Sequence, residues 1–165
     1  MGDRQRDAVL ASVQGDYKVR AVKSGVSMPT RGVPVRVLQR VPLFVGLTTQ
    51  QFRMVARLFK KRHYARGEAV INEGSSGAAF FVIESGEAIV TARGKKKATL
   101  KTFDYFGELA LIDGGPRIET ITAATDLVCY AINYWDFRPF VIANGVIGWK
   151  LLQGLAQMLR DAGGG

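Results

Sequence analysis

The 165-residue chain is 47% hydrophobic and 10% aromatic, apolar mass enough for one compact domain and too little for two. Its 23 Lys plus Arg against 14 Asp plus Glu leave a formal net charge of +9, which favours nucleotides, nucleic acid or acidic lipid without choosing among them. One cysteine, Cys129, and one histidine, His63, exclude an internal disulfide and a zinc site of several Cys and His ligands, so no metal is expected. No uncharged stretch, 139–149 and 151–159 among them and 41–52 the longest, reaches the ~18 apolar residues a membrane span needs, and a soluble, cytoplasmic protein is expected.

Residues 1–40 hold eight basic and three acidic side chains, broken by Gly15, Gly25, Pro29, Gly32 and Pro34, with no sustained apolar period. The segment 1–36 therefore reads as a basic, flexible arm, 37–162 as the folded domain and 163–165 as a flexible tail. The first residues lack the apolar stretch of a secretory signal, and Asp3 and Asp7 argue against an organellar transit peptide.

Within the domain, Phe52, Val55, Ala56 and Phe59 lie at helical spacing behind Thr48 and Thr49, predicting a helix over about 49–61 that ends in Lys60, Lys61 and Arg62. Short segments rich in β-branched and aromatic residues follow, cut by glycines: 69–71, 80–83, 88–92, 98–102, 118–123 and 127–132. Strands of this length with turn signals every 8 to 12 residues predict a sandwich, jelly roll or barrel. After Tyr134 the period turns helical again, over 135–143 and then 146–159. The predicted class is mainly β with flanking helices, an antiparallel β-roll or jelly roll between one N-terminal helix and two C-terminal ones.

The chemistry lies in 104–120. A strand ends there, Gly107 permits a close backbone approach, and Glu108 to Leu111 can form one helical turn with free N–H groups at its start. Such a turn suits a phosphate, and Arg117, held behind the rigid Pro116, could close over it with a planar fork. Glu108 would repel a phosphate, so within one pocket it should face a hydroxyl donor such as a ribose. The implied ligand is a phosphorylated sugar.

These residues resemble the cyclic nucleotide-binding domain family, shared by bacterial catabolite activators, protein kinase A regulatory subunits and cyclic nucleotide-gated channels. The resemblance spans about 37–159: an entry motif in Val41-Pro-Leu-Phe-Val-Gly-Leu, glycines at 67, 74 and 86 framing Phe80-Phe-Val-Ile, and a phosphate cassette in Phe106-Gly-Glu-Leu-Ala-Leu with Pro116-Arg117. It implies that Glu108 binds the ribose 2′-hydroxyl, that Arg117 binds the cyclic phosphate, and that the Gly107, Leu109 and Ala110 backbone lines the sugar-phosphate floor. The helix from Val146 would be a lid over the base. Three positions depart from the family pattern. Phe103 replaces a usual glycine before the cassette and could re-aim its turn. Ile118 and Glu119 replace small residues after the arginine. Ile118 keeps a backbone N–H for the phosphate but offers no hydroxyl of the kind associated with guanine recognition, which tilts the expected ligand to cAMP over cGMP. Arg117 and Glu119, two apart in a presumed strand, would share a face, where Glu119 could neutralise the arginine.

Each of these readings has a plainer rival. Glu108 and Arg117 could be a structural ion pair in a roll whose ligand function has lapsed. Lys95, Lys96 and Lys97 read as a solvated hairpin tip before a nucleic-acid contact, His63 as a lone exposed histidine, and Cys129 as a buried small hydrophobe. Trp149 could stack on a base or pack in the core. Ile147, Leu151, Gly154 and Met158 form a stripe that suits either a lid or a homodimer seam. With no nucleophile–base pair, metal cluster or Walker loop, the expected function is not enzymatic. It is a cyclic nucleotide receptor that signals through its C-terminal helices, or its arm, to a partner protein, since no output domain follows Asp161 in this chain. The rival is an assembly subunit that keeps the roll as scaffold and works through its arm.

Overall fold

A computed structural model describes residues 32–163. The expectation of a flexible arm falls almost wholly on residues outside that range, as does the end of the glycine tail. Val33, inside the segment read as an arm, is buried, and its N–H donates to the Ala56 carbonyl at 3.1 Å. Behind Pro34 a short helix α1 (Val35–Leu38) buries Val37 and Leu38, and a 3-10 turn (Pro42–Phe44) buries Leu43 and Phe44.

Helix α2 (Thr49–Ala56) starts on a reciprocal cap: the Gln51 N–H donates to Thr48 Oγ1 at 3.2 Å, and the Thr48 N–H to Gln51 Oε1 at 2.9 Å. It ends five residues before the sequence predicts, at Ala56 against Lys61. The basic run that read as its last turn is instead strand β1 (Lys60–Tyr64), paired antiparallel with residues 127–131 from Lys60↔Ala131 to Tyr64↔Leu127. Its local charge suits a helix end, but the ladder satisfies every second backbone group and buries Tyr64, and that long-range pairing overrides the local preference. His63 is exposed on this strand.

The remaining strands are β2 (Ala69–Ile71), β3 (Ala79–Ser85), β4 (Ala88–Ala92), β5 (Lys95–Leu100), β6 (Tyr105–Phe106), β7 (Thr120–Ala123) and β8 (Leu127–Asn133). They form two four-stranded antiparallel sheets, β1-β8-β3-β6 and β2-β7-β4-β5, the predicted roll. The lysines expected at a hairpin tip run along edge strand β5. The tip is Arg93 and Gly94, with φ of 51° and 73°, the two-residue turn whose twist matches its strands. Lysines on an edge discourage further strand pairing.

Strand β3 is buried on both faces. Phe81 and Ile83 join Ile121, Val90, Cys129 and Leu127 between the sheets. Phe80 and Val82 point the other way, beneath the helices, where Phe44 and Phe59 meet the Phe80 ring edge-on at 5.9 and 6.2 Å. That explains an unbroken apolar run where a half-exposed strand would alternate. Burial pushes the Cys129 thiol up to about 12, the inert buried hydrophobe expected.

Phe103 holds the turn into β6 at φ 71°, a left-handed conformation that suits glycine. The turn is kept and the bulky residue absorbs the strain: its N–H donates to the Ile83 carbonyl at 2.9 Å, and the Arg40 guanidinium lies 4.2 Å from its ring centre.

Helix α3 (Glu108–Asp113) follows β6, and after β8 come α4 (Tyr134–Ala143), capped by Asn133, and α5 (Gly145–Ala162). The stripe that could have been a dimer seam faces inward: Ile147, Leu151 and Gly154 are buried and Met158 packs on the same core. Gly154 rests against the 3-10 turn, and a Cβ there would stand 2.6 Å from the Leu43 carbonyl oxygen. Gly154→Val should therefore lift α5 from the turn and lower stability by about 1–3 kcal/mol, read as a drop in the urea midpoint.

Candidate functional site

The segment 107–119 lines a cavity of about 330 Å³ at one end of the roll. Its wall includes all six residues singled out as ligand contacts: Gly107, Glu108, Leu109, Ala110, Arg117 and Ile118. The seventh candidate, Trp149, is not brought there. It lies 64% exposed on α5, neither on the cavity wall nor in the core, because the inward face of that helix is spent on the 3-10 turn.

Arg117 is the only charged or polar residue among the buried ones described, 7% exposed. Two features hold it. Its backbone is clamped to the loop after β2: the Gly74 N–H donates to the Arg117 carbonyl at 2.8 Å, and the Arg117 N–H to the Ser75 carbonyl at 3.1 Å. Its guanidinium crosses to the start of β3, where Nη2 donates to the Ala79 carbonyl. The path runs over Gly107, which caps α3 at φ 86°. A Cβ at that glycine would collide with the Ala79 carbonyl and stand 2.7 Å from Arg117 Nη1. The glycine is thus needed twice, for its left-handed backbone and for the space the guanidinium fills.

Beyond Gly107, the six-residue α3 buries Ala110 and Leu111 and leaves Leu109 63% exposed at the cavity mouth. The N–H groups of Glu108 to Ala110 have no acceptor within the helix. Glu108 is half-buried on the wall. Asp113, further round, accepts the Gly115 N–H at 2.7 Å and so shapes the loop into Pro116.

Strand β7 begins at Thr120, two residues later than predicted, so 117–119 is irregular backbone. Ile118 is 72% exposed, whereas Arg117 and the half-buried Glu119 both line the cavity. Among the described residues Glu119 forms no ion pair. The apolar floor, Ile71, Phe106 and Ile121, escaped the sequence reading. Ile121 carries a strand-alternation signal, but Ile71 joins it only through the Ile71↔Ile121 pairing of β2 with β7. No group of acidic, His or Cys side chains that could hold a metal occurs among the described residues, and no helix among them is long and apolar enough to cross a membrane.

The family model for the cyclic nucleotide-binding domain matches residues 61–144, and this chain belongs to that family. It is 44% identical over 92 residues to a cAMP-dependent protein kinase regulatory subunit of Yarrowia lipolytica, a match covering 54% of this chain and 24% of that subunit. It is 36% identical over 124 residues to a cGMP-dependent protein kinase of Toxoplasma gondii, covering 75% of this chain and 12% of the kinase. Among solved structures it is similar to the N-terminal domain of a transcriptional regulator from Streptomyces coelicolor, with a TM-score of 0.71 and 29% identity over 76% of this chain and 94% of that one. The chain thus spans a quarter or less of those two kinase-related relatives.

Gly107→Ala should displace the guanidinium and strain the cap, lowering stability by about 1–3 kcal/mol. Differential scanning calorimetry beside Gly67→Ala checks this, since a Cβ at Gly67 meets nothing within 4 Å while its φ of 87° is equally left-handed. The difference between the two separates the cost of the crowding against the Ala79 carbonyl and Arg117 from that of the left-handed backbone.

Proposed function

We propose that this chain is a non-enzymatic cAMP receptor module. The observation that carries the reading is the Arg117 guanidinium, buried in the wall of a cavity lined also by Glu108 and by the first residues of α3, whose N–H groups have no acceptor within the helix. A buried cation favours an anion of limited size, and a cyclic phosphate monoester supplies one charge with oxygens that accept a planar fork. Glu108 on the same wall accepts the ribose 2′-hydroxyl, and the Gly107, Leu109, Ala110 and Ile118 backbone completes the sugar-phosphate floor. No side chain among the described lining residues bears a hydroxyl, which favours adenine over guanine. The names of the relatives include both cAMP- and cGMP-dependent kinases, so both nucleotides belong in the test.

Occupancy has a route outward. Helix α3 abuts the start of α4, where the Tyr134 ring lies 3.7 Å from the Cβ position of Gly114. From α4 the chain enters α5, whose outer face carries Val146, Trp149, Leu152 and Leu159, all more than half exposed. That face suits a protein partner such as a kinase, in the cytoplasm, and α5 shifts with occupancy.

Calorimetric titration with cAMP and cGMP tests the reading, and micromolar or tighter binding of cAMP is expected. Arg117→Ala should weaken cAMP by about ten- to a hundredfold, the worth of a charged hydrogen bond of roughly 1.5–3 kcal/mol. A Lys variant in parallel keeps the charge without the fork. Unchanged affinity in both would remove Arg117 from the site, and no binding of either nucleotide to the unmutated chain would favour the scaffold reading. Glu108→Ala should narrow the preference for ribose over deoxyribose nucleotides, and full discrimination in that variant would show its role to be misplaced.

A further inference from the structure

Four charged side chains line the cavity, and three of them are acidic: Glu108, Asp113 and Glu119 against Arg117. A volume of 330 Å³ is that of a sphere about 9 Å across, less than a Debye length of about 10 Å, so bulk salt screens these charges from one another only in part. Two of the carboxylates already have work. Asp113 accepts the Gly115 N–H, and Glu108 faces the ribose on the reading above. The Glu119 side chain makes no hydrogen bond or ion pair among the described residues.

Its place is nonetheless fixed. On one side Arg117 is clamped to Gly74 and Ser75. On the other, Thr120 pairs with Thr91, and its Oγ1 accepts the Glu73 N–H at 2.9 Å. With Arg117 and Thr120 pinned and Ile118 turned to solvent, Glu119 shares the cavity wall with the arginine it follows by two residues.

We propose that Glu119 is a specificity-determining residue that sets the concentration threshold of this receptor, its carboxylate opposing the entry of an anionic cyclic phosphate into the field of Arg117. The inference rests on the receptor reading. A negative charge on the wall of the cavity that takes the phosphate raises the free energy of the bound state whether it repels the phosphate or draws the guanidinium toward itself. The module then answers higher cyclic nucleotide concentrations than it would without that charge, and neutralising the carboxylate lowers the threshold.

The test is cAMP affinity by calorimetry for the unmutated chain, Glu119→Gln and Glu119→Asp, with thermal unfolding of each as a check on folding. Gln keeps the size and removes the charge, and it should tighten cAMP binding about three- to tenfold. Asp keeps the charge and should stay within about twofold of the unmutated chain. Equal affinity in all three would overturn the role of Glu119 while leaving the receptor intact. A gain in Asp as large as in Gln would overturn it too, by showing that side-chain size and not charge is responsible. Failure of all three to bind cAMP would instead defeat the receptor reading, and the threshold with it.

Discussion

The site depends on one crossing: the Arg117 guanidinium passes over Gly107 to reach the Ala79 carbonyl. A guanidinium cannot shed its proton at any ordinary pH, so folding it inward requires acceptors fixed beforehand. Three separate segments supply them or the space for them. The loop after β2 clamps the Arg117 backbone, the first residue of β3 accepts from the side chain, and the cap of α3 leaves out a Cβ. Since β2 and β3 belong to different sheets, the same arginine also ties the two halves of the roll at its open end. The feature that would recognise a phosphate is thus part of what closes the cavity.

Around that crossing the molecule divides its apolar surface in two. Between the sheets aliphatic side chains such as Ile83, Val90 and Ile121 surround the stacked rings of Phe81 and Phe106. Under the helices the aromatic rings of Phe44, Phe59 and Phe80 fill a second cluster that α5 completes with Ile147 and Leu151. Strand β3 serves both clusters, which couples the helices to the roll through one rigid element. The contact of Gly154 with Leu43 shows how tightly α5 is seated, and it leaves the opposite face of that helix apolar and open.

The two local oddities obey the same logic. Phe103 accepts a left-handed backbone because its ring is held by Arg40 and its N–H by Ile83, so tertiary contacts offset strain of about 1–2 kcal/mol. The basic run 60–63 gives up a helix end for a ladder with β8. In both places a contact with a residue far along the chain outweighs what the neighbours prefer.

The sequence by itself determined the class of fold, because strand lengths, glycine punctuation and the two helical periods are local properties of β-branched, aromatic and glycine residues. It also singled out six residues that line the cavity, since Gly107 to Ala110, Arg117 and Ile118 lie in one short stretch whose residue types announce their chemistry. Its errors fall where distance along the chain decides. The fate of Lys60 to Arg62 turned on pairing with a strand some seventy residues away. Trp149 and the stripe from Ile147 to Met158 could not be assigned a face until the 3-10 turn was in place, because periodicity shows that a helix has an apolar side but not what covers it. Nor could spacing show whether Glu119 meets Arg117, for that depended on where β7 starts. Only the tertiary structure, by closing Ile71 onto Ile121 and seating the arginine over its glycine, made a cavity from these residues.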